Sequence, residues 1–485
     1  MIIDFFHKPS LRLRYSLIMM LLTSILLTLI LNISHFNGYN TVYNKMQSYS
    51  ANEVKAVGLS PARPTPLYGF NGEISKSPNW SNAAFLDTVA SLHFKAIRYP
   101  GGSVANQWDW KTGQAIAQRF LNTIPNKKVL NNNFTAGHDL KDLKQLVNKT
   151  GCDVIFLLNM ITKDLNDQIS MLKNAQALGI PVKWVELGNE FYLKENAGKQ
   201  KFAMPADYGK TAEQWIDAIK TQFPTAKVAV IGSNQSNWNK DVLINAPSAD
   251  AIVDHVYPFP ANVLDESGIN FSELYGDLQK KLNNFNLPKK MTPIWVTEYN
   301  IHWAFIPNKT PEEKNKIHNY AFTWSQALAT ILMTSEITSF SDNIKVVINH
   351  SLANWSNFAA VDNKGTFRKL PNGIGMQAWL DASENKNTIQ KISFIDDNKE
   401  AVPDYNLFGW KFTGDNTNSI LLVNLLPSSV PLDLSSITSV SYKYTTLSSE
   451  KNKQIHSPDD FSKTSGTIKA NNLSLPPYSI TTLTE

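Results

Sequence analysis

Cysteine is nearly absent: Cys152 is the only one in 485 residues, so no disulfide can form within the chain. It lies in the apolar run Cys152-Asp-Val-Ile-Phe-Leu-Leu, where a buried structural thiol is expected rather than a reactive one. No set of cysteines and histidines has metal-ligand spacing, so neither a zinc site nor a metal mechanism is supported, and no cofactor is expected. Glycine-rich phosphate loops are missing too, since neither G-x-G-x-x-G nor a P-loop follows any apolar run. Charge is sparse: charged residues make up 18% of the chain and the net charge is +5, part of it within the first fourteen residues. That leaves no basic stripe to serve a nucleic acid, and none is expected as a partner.

What the chain has instead is length and aromatic rings. At 485 residues it exceeds what one hydrophobic core usually serves, so two folded units are expected. Its 12 Trp and 16 Tyr supply flat apolar faces of the kind sugar clefts use, although large cores use them as well.

One long hydrophobic run stands at the start. Ser16 to Ile33 (SLIMMLLTSILLTLILNI) is 18 residues without a charge, about the minimum to cross a bilayer as a helix. His7, Lys8, Arg12 and Arg14 precede it, and no Lys or Arg follows until Lys45. The positive-inside rule then keeps the N-terminus cytoplasmic and exports the rest. A cleaved signal peptide competes with an uncleaved anchor. The following Ser34-His-Phe-Asn-Gly lacks the small-residue cleavage pattern, which favours the transmembrane anchor. Either way the body lies outside the cytoplasm, periplasmic or extracellular, held at the membrane or secreted after cleavage.

From about residue 65 short β-rich runs alternate with helical patterning. Eight such runs begin at Leu67, Phe94, Asp153, Val182, Lys227, Ala251, Pro293 and Ile344. Helices are expected between them: Leu140, Leu143, Leu146 and Val147 share one helical face, and so do Leu165, Ile169, Leu172 and Ala175. Further helices are expected over Thr211 to Thr221 and Pro311 to Met333. Eight strands alternating with helices, without a nucleotide loop, point to a parallel α/β fold closed as a (β/α)8 (TIM) barrel. After Trp379 short alternating runs rich in Thr, Ser and Val take over, at Ile420, Val440 and Tyr478, and read as an antiparallel β-sandwich. The expected organisation is a cytoplasmic stub and anchor over 1–35, a tether over 36–60, the barrel over 61–378 and the β-sandwich over 379–485.

Chemistry in such a barrel sits at the C-terminal ends of the strands. The fourth run ends Glu186-Leu-Gly-Asn-Glu190 and the seventh ends Trp295-Val-Thr-Glu298. A carboxylate at a buried strand end is costly without partners, so each either pairs with a basic neighbour or serves a reaction. Together they suit glycoside hydrolysis, which needs a protonated acid at the leaving oxygen and a second carboxylate at the anomeric carbon. In a pair this close, mutual repulsion and partial burial keep one proton on the acid near neutral pH.

Gly188-Asn189-Glu190 and Thr297-Glu298 resemble the strand-four and strand-seven signatures of the (β/α)8 retaining glycosidases of clan A. Arg98-Tyr-Pro-Gly-Gly102 with Asp109-Trp110-Lys111 is most similar to α-L-arabinofuranosidases and heparanase-like β-glucuronidases. The resemblance covers roughly residues 65 to 375, and Leu475-Pro-Pro-Tyr-Ser-Ile resembles the β-sandwich attached to such barrels. It implies Glu190 as acid/base, Glu298 as nucleophile and Asn189 as a partner of the sugar 2-hydroxyl. It also implies Arg98 and Tyr257 as groups that keep Glu298 ionised, while an Arg98–Glu186 ion pair is the alternative for that arginine. His255, two residues before Tyr257, and His350, ending the eighth run, are further substrate-binding candidates. So are Asn159, after the third run, and Asn71 and Glu73, after the first. Trp303, Trp324 and Trp355 could stack on sugar rings or serve the core. The chain continues Glu298-Tyr-Asn where arabinofuranosidase-like relatives carry an acidic residue and then Trp, and basic substrate clusters of the heparanase kind are not evident, so the sugar stays open.

The expected activity is a retaining glycoside hydrolase acting on an extracellular or cell-wall oligo- or polysaccharide. A transglycosylase and a non-catalytic carbohydrate-binding barrel are the alternatives.

Overall fold

The computed structural model describes residues 53–485 apart from 116–137, 194–196, 236, 286, 288–291, 355–356, 470 and 472. The apolar run Ser16–Ile33 and most of the expected tether therefore lie outside the described residues, as does Trp355. Among the described residues no helix is long and apolar enough to cross a membrane.

Eight parallel strands close into a barrel, and they fall on the eight expected runs. Strands one to four are Leu67–Asn71, Ala96–Tyr99, Asp153–Leu158 and Trp184–Leu187. Strands five to eight are Lys227–Ile231, Ala251–Val256, Ile294–Tyr299 and Ile344–His350. Small and large side chains alternate inside the barrel, with Ala96, Ala229 and Ala251 fitted around Ile155, Trp295 and Ile348. Outward-facing residues such as Ile97, Phe156 and Val185 pack against the helices.

The helix Leu140–Thr150 shows how local sequence sets an element. Asp139 and Asp142 form a reciprocal capping box, Gly151 ends the helix at φ 68°, and Leu140, Leu143 and Leu146 are buried. Expectation and structure part at Pro311 to Met333. Two helices occupy that stretch, Pro311–Asn319 and Trp324–Phe340, with a 3-10 turn at Tyr320–Phe322 between them. The break is tertiary: the backbone N–H groups of Trp324 and Ser325 donate to the carbonyls of Lys453 and Lys451, at 2.9 and 2.8 Å, and so tie the second helix to the C-terminal domain. Every residue from Trp324 to Thr338 is buried, so this helix has no polar face for periodicity to reveal.

The C-terminal strands join one ten-stranded sheet in which the expected runs appear as Asn418–Asn424, Ser441–Ser448 and Ser479–Thr484. Two boundaries need correction. Val54–Leu59, inside the expected tether, is a strand of this sheet, antiparallel to Thr388–Ile395 and parallel to Val430–Asp433. Its partners are too remote in sequence for a local pattern to show it. The expected boundary at 379 falls within the helix Pro371–Ser383, whose Trp379 is buried against Trp410 and Phe412 of the sheet. Trp410 Nε1 also donates to Ser335 Oγ on the buried helix at 2.8 Å, so the sheet packs firmly on the barrel.

Candidate active site

The C-terminal ends of the strands enclose a cavity of about 640 Å³ lined by Glu73, Glu190, His255, Tyr257, Glu298 and His350, among others. A larger cavity, about 720 Å³, opens at the other end of the barrel. It has one carboxylate, Asp250, already paired with Lys220 and Lys227. Size would choose the second cavity, but the clustered carboxylates Glu73, Glu190 and Glu298 lie in the first.

Strand four leads into the site through a tight turn. Gly188 has φ 83°, and a Cβ there would lie 2.1 Å from the Phe191 ring, so both backbone and space demand glycine. Glu190 itself is held in the left-handed region at φ 50°, a strained conformation of the kind that collects at functional sites. On the opposite side, the register between strands six and seven shifts between Asp254 and His255, so that His255 pairs with Glu298.

Glu298 is buried and surrounded by donors. Its Oε1 accepts from Arg98 Nη1 at 2.7 Å and from Asn71 Nδ2 at 2.9 Å, and its Oε2 accepts from the Tyr257 hydroxyl at 2.7 Å. Burial would raise its pKa, but His255, His350, Arg98 and the Tyr257 hydrogen bond outweigh burial and hold it down at about 2. His350 is pulled down to about 4, chiefly by its own burial, and is neutral at neutral pH. With His350 neutral, the donors on Glu298 are Arg98, Asn71 and Tyr257, and His255 adds to them when protonated.

Arg98 serves both of the expected partners at once. Its Nε donates to Glu186 Oε2 at 2.9 Å while Nη1 reaches Glu298, and Nη2 adds Asn189 Oδ1 at 2.8 Å. The guanidinium and both carboxylates are almost wholly buried, so one cation fixes strands two, four and seven together.

Glu190 meets the protein through Oε1 only, with His255 Nδ1 at 2.8 Å and the Tyr192 hydroxyl at 3.3 Å. Its Oε2 makes no hydrogen bond among the described residues. The other His255 nitrogen lies 3.2 Å from Thr297 Oγ1. Burial lowers the His255 pKa, but Glu298 and Glu190 outweigh burial and raise it. Carboxylate oxygens of Glu190 and Glu298 lie within 4.8 Å of each other and of His255 Nδ1. Those three atoms are close enough to ligate a cation. Within the protein their hydrogen bonds come from one another, from Tyr192 and from Tyr257, while Arg98 and Asn71 hold the second oxygen of Glu298.

Asn71 plays a part that its sequence position did not suggest. An ionised carboxylate can only accept, so the amide must turn Nδ2 toward Glu298. The same Nδ2 lies 2.9 Å from His350 Nδ1, which makes that nitrogen the acceptor and leaves the proton on Nε2 of the neutral ring.

Three expected site residues lie elsewhere. Asn159 is buried and caps its own loop, accepting from the backbone N–H groups of Ile161 and Thr162 and donating to the Trp108 carbonyl. Trp303 and Trp324 are 0% exposed and present no face to a sugar. Asn159 and Trp303 share a cause, since a residue past a strand end can fold back under the rim as easily as into the cavity, whereas Trp324 opens the wholly buried helix Trp324–Phe340. Tyr192 and His302, which do line the cavity, lie in loops where no local pattern marks them.

No protein-family profile and no curated protein matches the sequence. Solved structures do match. A family 51 α-L-arabinofuranosidase from Thermotoga petrophila aligns with a TM-score of 0.65 at 16% identity, covering 89% of this chain and 99% of its own. A family 51 α-L-arabinofuranosidase from Bifidobacterium longum aligns at 0.66 with 15% identity, covering 90% and 99%. The fold is that of glycoside hydrolases. It extends to a 4-O-α-L-rhamnosyl-β-D-glucuronidase from Fusarium oxysporum, at a TM-score of 0.57 and 13% identity over 89% of this chain and 100% of that one. In each case the match spans barrel and sheet domain together.

Proposed function

We propose that the protein is a retaining glycoside hydrolase acting on an oligo- or polysaccharide, with Glu298 as nucleophile and Glu190 as acid/base. The observation that carries the reading is the carboxylate pair within 4.8 Å, one member ionised by a dense set of donors. Retaining enzymes hold their carboxyls about 5–5.5 Å apart, close enough for direct attack and too close to admit a water between them. The likeness to arabinofuranosidases and a glucuronidase supports the same chemistry.

The two oxygens of Glu298 divide the work. Oε1 is occupied by Arg98 and Asn71, whereas Oε2 has Tyr257 alone and keeps a lone pair for the anomeric carbon. Attack forms the glycosyl ester as the bond to the leaving oxygen breaks, and Glu190 Oε2 gives that oxygen its proton. Glu190 then takes a proton from water, which attacks the same carbon and releases Glu298. His255, against Oε1 of Glu190, holds the acid in place through both steps. Asn189 is assigned to the sugar 2-hydroxyl and His350 Nε2–H to another hydroxyl.

The N-terminal run is assigned as an anchor that places the enzyme outside the cytoplasm, on extracellular or cell-wall glycan. Membrane fractionation with protease accessibility tests that assignment: a soluble, cytoplasmic chain would overturn it. For the activity, a panel of aryl glycosides is offered to the full-length chain, to Glu298→Ala and to Glu190→Ala. One sugar is cleaved, Glu298→Ala abolishes the reaction, and azide restores it with inverted product. Rescue with retained configuration, or undiminished activity in Glu298→Ala, would refute the assignment.

A further inference from the structure

The cavity wall built by the loops after strands six and seven differs from the rest. Phe259, His302 and Phe305 form one aromatic cluster, with ring centroids 5.1 Å apart for the two phenylalanines and 5.6 and 5.9 Å from each to His302. Phe259 and His302 line the cavity, and Phe305 behind them is 51% exposed. Nδ1 of His302 is buried without a hydrogen-bond partner among the described residues. Lys281, on the helix Phe271–Asn284, reaches this wall and sets its ammonium 4.3 Å from the centre of the Phe259 ring.

That ammonium is poorly matched by protein. Its side chain is only 21% exposed, and Asp277 Oδ2 lies 3.8 Å away, beyond hydrogen-bond distance. Among the described residues Asp277 Oδ2 has no hydrogen-bond partner and Lys281 donates no hydrogen bond. The Phe259 face recovers part of the lost hydration through a cation–π contact, and burial still lowers the lysine pKa. Lys281 thus lines the cavity with an ammonium that no hydrogen bond among the described residues engages.

The position relative to the reacting carboxylates is also informative. Lys281 lines the same cavity as Glu190, Glu298 and His302, and its one ion pair among the described residues is with Asp277, so it stands more than about 4 Å from either carboxylate of the pair.

We infer that this wall is a subsite for an acidic sugar flanking the bond to be cleaved, with its carboxylate on Lys281. The inference rests on the glycosidase reading and adds a substrate class to it. A uronate supplies a hydrogen-bond acceptor that the protein does not, while a neutral ring leaves the half-buried ammonium with only the longer contact to Asp277. It also separates this site from one that removes a terminal uronic acid, since there the carboxylate would sit on the sugar attacked by Glu298.

The test uses the full-length chain carrying Glu298→Ala, to prevent turnover, and uronate-containing oligosaccharides from glucuronoxylan, pectin, alginate and hyaluronan. Each is compared with its carboxyl-reduced form. At least one acidic member binds roughly tenfold tighter than its reduced form, as expected for a hydrogen bond between charged groups. The margin disappears in Lys281→Met and returns in Lys281→Arg. Equal affinity for acidic and reduced forms across the panel would overturn the inference, as would a Lys281→Met loss of the same size for both. Turnover of neutral aryl glycosides by the chain with Glu298 intact, without any acidic preference in Glu298→Ala binding, removes the subsite and leaves the glycosidase standing. No turnover and no glycan binding at all removes both.

Discussion

Glu73 offers a direct measurement of the site's electrostatics. It follows strand one, is 9% exposed, and its Oε1 accepts from Ser75 Oγ at 2.6 Å. Burial, with Glu298 and Glu190 nearby, pushes its pKa from 4.5 up to about 8, against the opposing effects of Ser75 and Arg98. Between those two values the folded protein holds a proton that the unfolded chain has lost. Stability therefore falls as pH rises through the window from 4.5 to 8. At about 1.4 kcal/mol per unit, the cost is under about 1 kcal/mol at pH 5, about 3 at pH 7 and about 5 above pH 8. Glu73→Gln keeps the shape and removes the titration. Thermal or urea unfolding of both proteins across pH 5 to 8.5 should show the variant gaining stability by about those amounts. Other titrating groups, such as Asp254 and Glu336, are shared and cancel in the difference. A difference that stays constant with pH would refute the reasoning. A carboxyl that destabilises the fold yet lines the cavity is the pattern of a residue kept for the site.

Arg98→Met leaves Glu186 and Glu298 buried without their cation and should cost about 3–5 kcal/mol in urea unfolding, with activity lost; a loss below about 1 kcal/mol would contradict the shared ion pair. Tyr257→Phe removes the one donor on Glu298 Oε2, so the nucleophile's pKa rises. Because Glu298 must be ionised to attack, the acid limb of the kcat/KM profile should move up by about one pH unit, and an unmoved limb would sink the assignment. Trp410→Ala opens a void between sheet and barrel and should cost about 3–5 kcal/mol while leaving the pH profile of activity unchanged, because Trp410 touches the buried helix and not the cavity.

The barrel was legible because each strand announces itself locally. Runs such as Asp153–Leu158 and Ile294–Tyr299 are apolar on both faces, as parallel strands covered by helices must be. Glu190 and Glu298 stood out because each ends such a run with a charge. The C-terminal sheet was legible only in part. Val54–Leu59 contributes two buried side chains, Val54 and Ala56, and its partners are more than 300 residues away in sequence. The helix Trp324–Phe340 was merged with its neighbour because a helix buried on all sides has no polar face to mark its limits.

By itself, then, the sequence determined which segments are the barrel strands, that eight of them alternate with helices, and which two of them carry a glutamate at or just past their C-terminal end. Those properties depend on side-chain period and on polarity at strand ends, both local. Only the tertiary structure decided which polar groups meet. It brought Asn71 and Arg98 onto one oxygen of Glu298, placed His255 beside Glu190, and turned Asn159 and Trp303 away from the cavity. Such outcomes depend on barrel closure, on the register shift at His255 and on how each loop folds back, and these are set by contacts between residues distant in the chain.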